Sequence, residues 1–142
     1  MQSTDDSLGL FVTRAARDLS RAFEDVLVAA GGSTPTWLVL LALSNGPRTT
    51  QRELAEAVGI RQPTLIHHLD AMDRAGLVTR DREPGNRRVQ QVRLTDAGER
   101  LFLRLRRAAS SFDGRLRAGL GEEDVAGLRS LLGQLVENAQ PD

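Results

Sequence analysis

The chain contains no cysteine, which excludes disulfides, thiolate metal sites and redox sensing through a thiol. It also contains no lysine, so all 19 of its basic residues are arginine. The abundance of Ala, Gly, Leu and Val beside them points to GC-rich coding. The chemical consequence is that every cation offers a planar fork suited to phosphate and guanine. Long apolar runs are missing: the longest, Trp37 to Leu43, falls far short of the roughly 20 residues a membrane helix needs. The amino terminus M-Q-S-T-D-D has neither a basic region nor an apolar core, so it reads as no signal peptide. A cytoplasmic protein without a membrane partner is expected.

Enzyme chemistry is short of parts as well. There is no glycine-rich phosphate loop, no evident serine–histidine–acid partnership and no paired-carboxylate motif. The two histidines, His67 and His68, are adjacent, and neighbouring helix positions diverge by roughly 100°. With no third histidine, a zinc site would have to be completed by carboxylates. Neither catalysis, nor a metal, nor a cofactor is expected.

At 142 residues the chain is long enough for one domain with a real core and too short for two comfortable ones. Its formal net charge is zero, but the charge is unevenly spread. Residues 1–47 carry three Arg against five acids, and residues 108–142 three against six. Between them, residues 48–107 carry thirteen Arg against eight acids. A basic middle between acidic ends suits a protein that binds a polyanion with one part and itself with the rest.

Apolar residues at helical spacing from Leu8 to Leu27 predict a long first helix, capped by Asp5, Asp6 or Ser7 and ended by Gly31-Gly32. A second helix opens at Ser33 or Thr34, with Pro35 at its start, and runs to about Asn45. It is apolar nearly all round and is expected at the centre of the fold. Thr49 or Thr50 caps a third helix, and Glu53 is placed to close a capping box with Thr50. After Gly59 a fourth helix begins near Gln62-Pro63, buries Leu65, Leu69 and Met72, and stops at Gly76. Leu77 to Arg82 and Arg88 to Leu94 read as strands around the turn residues E-P-G-N. Thr95 caps a fifth helix, broken by Gly119 and Gly121, and three acids open a sixth at Glu122.

Helix, turn, helix, then a hairpin with arginines at its tip is the order of a winged helix-turn-helix. Such a unit lays its second helix in the DNA major groove, and its hairpin can reach phosphates or the minor groove. The apolar stripes of the first, fifth and sixth helices exceed what so small a core can use. The expected fold is therefore mainly α with a small β-hairpin wing, and with long helices forming a dimerisation frame. We read one domain over residues 1–142: a helical dimerisation region at 1–32 and 108–142, and a winged-helix DNA-binding lobe at 33–107.

Four blocks, T-P-T-W-L-V-L-L-A-L, T-Q-R-E-L-A-E-A-V-G, Q-P-T-L-I-H-H-L-D-A-M-D-R-A-G-L-V-T-R and N-R-R-V-Q-Q-V-R-L-T-D-A-G-E-R-L, resemble the MarR family of bacterial transcription regulators. Q-P-T-L followed by L-D is similar to its SlyA-like branch in particular. The resemblance covers nearly the whole chain. It implies a homodimer with a helical frame, two winged-helix lobes and, often, a small-molecule pocket between frame and lobe. Two positions depart from the pattern. The wing reads Asn86-Arg87-Arg88 where the family usually has Asp-x-Arg, so Arg88 lacks the acid that orients it. His67 stands where SlyA-like proteins carry a base-contacting arginine, which implies a different sequence preference.

Double-stranded DNA is the expected partner, and a sequence-specific, ligand-responsive repressor acting as a homodimer on a palindromic operator is the expected function. Gln62, Pro63, Thr64 and His67 occupy the exposed first turns of the reading helix. Gln can read adenine, Thr a phosphate or thymine methyl, and His a guanine acceptor. Arg87 and Arg88 are expected to bind phosphate and the minor groove. Arg80, Arg82 and Arg93 on the strands are expected to clamp the backbone, as are Arg52 and Arg48 from the third helix. Trp37 reads first as core. It could also stack on a small aromatic or anionic effector, with Arg14 or Arg17 meeting its charge. The rival reading is a winged helix that binds only protein, since a fold does not fix a function. The arginine-rich wing speaks against it.

Overall fold

Each helix of the chain starts where a side chain or proline can replace the missing backbone partners of its first turn. In the computed structural model, which describes residues 7–46, 49–83 and 85–141 and only the backbone of Glu83, Arg87 and Arg88, α1 spans Leu8–Ala29 and is capped by Ser7, whose hydroxyl accepts from Leu10 N at 3.2 Å. Gly31, at φ 99°, closes it in the left-handed region. α2 (Thr34–Asn45) is capped by Ser33 and has Pro35 in its first turn. Glu24 of α1 latches the two together, accepting from the Thr34 amide at 2.7 Å and from the Thr34 hydroxyl. Gly32 sits where a Cβ would come within 2.7 Å of Leu105. The corner between α1 and α2 thus packs directly on the later helix that carries Leu105.

A two-residue strand, β1 (Thr49–Thr50), leads into α3 (Gln51–Val58). The expected capping box is present: Thr50 Oγ1 accepts from Glu53 N at 3.1 Å, and Thr50 N donates back to Glu53 at 3.4 Å. α4 (Gln62–Arg74) follows, then β2 (Val78–Glu83) and β3 (Asn86–Leu94). The sheet order is β1-β3-β2, all antiparallel. β3 pairs Val92 with both Thr49 and Arg80, and the β2–β3 register slips only between Arg82 and Glu83. β1 is the element that sequence reading does not anticipate, because two residues carry no alternation signal.

α5 (Asp96–Leu116) begins at Thr95, whose hydroxyl accepts from Gly98 N and donates to Gly76 O. Leu27, Val39, Leu40, Leu43, Leu54, Leu65, Leu69, Met72, Val78, Val92, Leu101 and Leu105 form one buried core. α2 supplies three of these, yet Leu38 and Leu41 on its other side are exposed, so it lines the core rather than threading its centre.

The chain divides into two compact units, Met1–Ala109 and Ser110–Asp142, with α5 running from the first into the second. The first unit takes in α1 together with the lobe. The second holds the end of α5 and α6 (Glu122–Asn138), where Gly121 N donates to Asp124 at 2.8 Å. α6 buries no residue. Among the described residues no single helix is long and apolar enough to cross a membrane.

Candidate nucleic-acid interface

The turn between α3 and α4 is set by Gly59, which takes φ 77° while its amide and that of Ile60 both return to Ala55 O. No atom crowds a Cβ there, so glycine is required by the backbone angle alone. α4 then points one side inward with Leu65, Leu69 and Met72 buried, and the other outward. Gln62, Pro63, Thr64 and His67, expected to face DNA, are all exposed. His68 is half-buried, its ring 5.9 Å from that of His67 and tilted by 58°. Arg61 caps α4 without offering a side-chain hydrogen bond.

The strand arginines do not form one set. Arg80, expected to clamp the DNA backbone, turns onto α4 instead. Its Nη1 meets Asp70 at 2.7 Å, and its Nη2 and Nε meet Asp73 at 3.0 and 3.2 Å. Burial works against its charge. Hydrogen bonds to Asp70 and Asp73 outweigh that, and the guanidinium is held above its ordinary value. The fork that would suit a phosphate is spent on two carboxylates, which makes Arg80 a strut between β2 and α4. Arg93 is likewise paired, with Asp81 on the neighbouring strand. Arg82 is exposed, opposite Gln90, and takes part in no ion pair among the described residues. Arg52 holds only a loose exposed contact to Glu56 at 3.6 Å, of little energetic consequence. Arg87 and Arg88 lie in β3 just past the hairpin end; their side chains fall outside the described residues, as does Arg48 altogether.

Three residues that sequence reading passes over gather beside α4. A half-open groove of about 360 Å³ is lined by Thr50, Gln51, Arg52, Gln62, Val89 and Gln90. Gln51 and Gln90 belong to it, and Arg61 adjoins Gln62 at the helix start. The side-chain oxygen of Gln51 is buried without a hydrogen-bond partner among the described residues. Only the pairing of β1 with β3 brings Gln51 and Gln90 together, so no local pattern could have found them.

The residues expected to hold an effector do not together line the cavity described next. Trp37 stacks on Phe102 with ring centroids 5.7 Å apart. A cavity of about 400 Å³ lies beside Phe102, lined also by Leu43, Ser44, Arg93, Leu94, Glu99 and Leu103. Its lining contains neither Trp37 nor Arg14 nor Arg17, the latter two being exposed on α1.

A helix-turn-helix with an outward polar helix and a two-stranded wing is the arrangement shared with a known family. The sequence profile described as MarR family matches residues 31–89. Over that span the chain is similar to the MarR family. The fold extends the match to nearly the full length. A transcriptional repressor, CouR, solved on a 23-mer DNA duplex, is 27% identical, with 96% of this chain and 98% of that one covered and a TM-score of 0.85. The PcaV regulator from Streptomyces coelicolor, in complex with its natural ligand, is 26% identical, covering 99% and 100%, with a TM-score of 0.81. A mutant of MarR itself from E. coli, complexed with operator DNA, shares the fold at 20% identity and a TM-score of 0.83, covering 94% and 99%.

Proposed function

We propose that this protein is a sequence-specific, double-stranded DNA-binding transcriptional regulator, a repressor that occludes a palindromic operator as a homodimer. The observation that carries the reading is α4: an amphipathic helix whose Gln62, Thr64 and His67 stand clear of the core. It is supported by the resemblance to CouR, which was solved on a DNA duplex. Dimerisation is supported by apolar residues left exposed in both units, among them Phe11 at 70% and Leu131 at 68%. Two lobes related by a two-fold axis would read half-sites about one helical turn apart.

Response to a small aromatic or anionic effector belongs to the same proposal. It is supported by the cavity beside Phe102, which combines apolar walls with Arg93, Glu99 and Ser44, the composition usual for a small-molecule site. The likeness to PcaV, solved with its natural ligand, points the same way.

The test is selection of bound sequences from random duplex DNA, followed by affinity measurements at several salt concentrations. A palindromic consensus bound with a steep salt dependence is expected. No enrichment, together with salt-insensitive or absent duplex binding, would transfer the lobe to the rival reading, a protein-binding winged helix.

A further inference from the structure

We propose that the groove between α3, α4 and β3 seats the sugar–phosphate strand that separates the major groove from the neighbouring minor groove, and that uncharged amides hold it there. This rests on the DNA-binding reading above. If α4 enters the major groove and the wing the minor groove beside it, one strand of backbone must pass between the two elements. The surface between the start of α4 and β3 is this groove, formed by Thr50, Gln51, Arg52, Gln62, Val89 and Gln90.

Its chemistry fits a phosphodiester. Five of the six lining side chains are polar, one is cationic and none is acidic. Gln51 and Gln90 each offer an NH2 group with two donors. Because the Gln51 oxygen has no partner among the described residues, turning that amide to present its donors sacrifices no hydrogen bond described within the fold. The start of α4 contributes as well. Arg61 provides no side-chain cap, so the amides of Gln62 and Thr64 remain available to an anion. At the start of α3 the capping box takes the Thr50 and Glu53 amides.

The arginines expected to clamp the backbone leave this role open. Arg80 and Arg93 are committed to carboxylates. Arg52 stands at the groove, but the remaining donors that line it are neutral. Neutral donors add affinity without displacing counterions, whereas each arginine on a phosphate contributes about 0.9 to the log–log salt slope.

The experiment compares wild type with Gln51→Ala/Gln90→Ala on the selected operator and on unrelated duplexes. The double variant should lose about a hundredfold in affinity on every sequence, four hydrogen bonds worth about threefold each being removed from a dimer. Its salt slope and melting temperature should stay at wild-type values. Gln51→Glu/Gln90→Glu, which keeps the size and replaces donors by anions, should lose more. Ethylating the phosphates between the bases read by α4 and the minor groove under the wing should block wild type and weaken the double variant less.

Unchanged affinity in both variants, or the same ethylation pattern in wild type and variant, would overturn the proposal. Inorganic phosphate at matched ionic strength separates a bound strand from a free anion. It should not compete with DNA, and competition that disappears in the double variant would give the groove to a free anion instead. A wild-type protein that binds no duplex would sink the proposed function itself; wild-type binding with unaffected variants sinks the groove alone.

Discussion

Two single residues show how closely the lobe is built. Gly98, in the first turn of α5, lies over the Leu77 carbonyl, which also accepts the Thr95 amide at 3.1 Å. A Cβ there would stand 2.1 Å from that oxygen, a backbone atom that cannot swing aside. Gly98→Ala should therefore destabilise despite the better helix propensity of alanine, by about 3 kcal/mol and roughly ten degrees of melting temperature. A variant that melts within two degrees of wild type would mean that the approach relaxes freely. Arg80 is the second case. Its side chain is only 20% exposed and bridges two acids on α4. Arg80→Ala should cost about 1 kcal/mol of stability, and Arg80→Lys should recover little of it, lacking the planar fork. The salt slope of DNA binding should not change in either variant. A slope reduced by about two in the dimer would restore the phosphate clamp that the sequence suggests.

At the scale of elements, legibility follows the range of the cause. The capping box at Thr50–Glu53, the stop at Gly76 and the exposed set on α4 depend on neighbours within a turn or two, and the sequence displays them openly. The partners of Arg80 and Arg93 depend on how the strands lie against α4 and against each other. Their arginines look alike in sequence although two are tied and Arg82 is in no ion pair among the described residues. The groove with Gln51 and Gln90 is invisible for the same reason, being created by the β1–β3 pairing of Thr50 with Gln91. The wing itself yields a prediction that does not depend on those details. Arg88 lies in β3 just past the hairpin end. Arg88→Ala should leave the melting temperature unaltered and weaken binding on most sequences. If each subunit neutralises one phosphate with it, the salt slope of the dimer should fall by about two. Wild-type affinity and slope in this variant would remove Arg88 from the interface.

For the whole molecule, the deciding quantity is apolar surface without a partner. Leu8, Phe11, Leu19 and Val28 on α1 and Leu128, Leu131, Leu132 and Val136 on α6 are all exposed. A dimer burying over about 2,000 Å² would cover them. Sedimentation at micromolar concentration should give twice the chain mass, and a compact, DNA-competent monomer would contradict it. The proposed effector would act on such a dimer through its differential affinity for two states. A hundredfold loss of DNA affinity requires about 2.7 kcal/mol of coupling. Arg93 lines the cavity beside Phe102 and also pairs with Asp81 on the wing strand, so an acid drawn to Arg93 competes with that pair. An exposed pair is worth at most about 1 kcal/mol, roughly fivefold in affinity; a larger release must come from a shift of the lobes. Phe102 touches both the cavity and Trp37, which makes the single tryptophan a reporter of binding. Titration with 4-hydroxybenzoate should alter Trp37 fluorescence with or without DNA, and Arg93→Ala should weaken that response while the methyl ester of the probe fails to elicit it. If neither fluorescence nor DNA affinity moves with any single-ring acid, the cavity is no effector site and the output of the protein is set by its abundance.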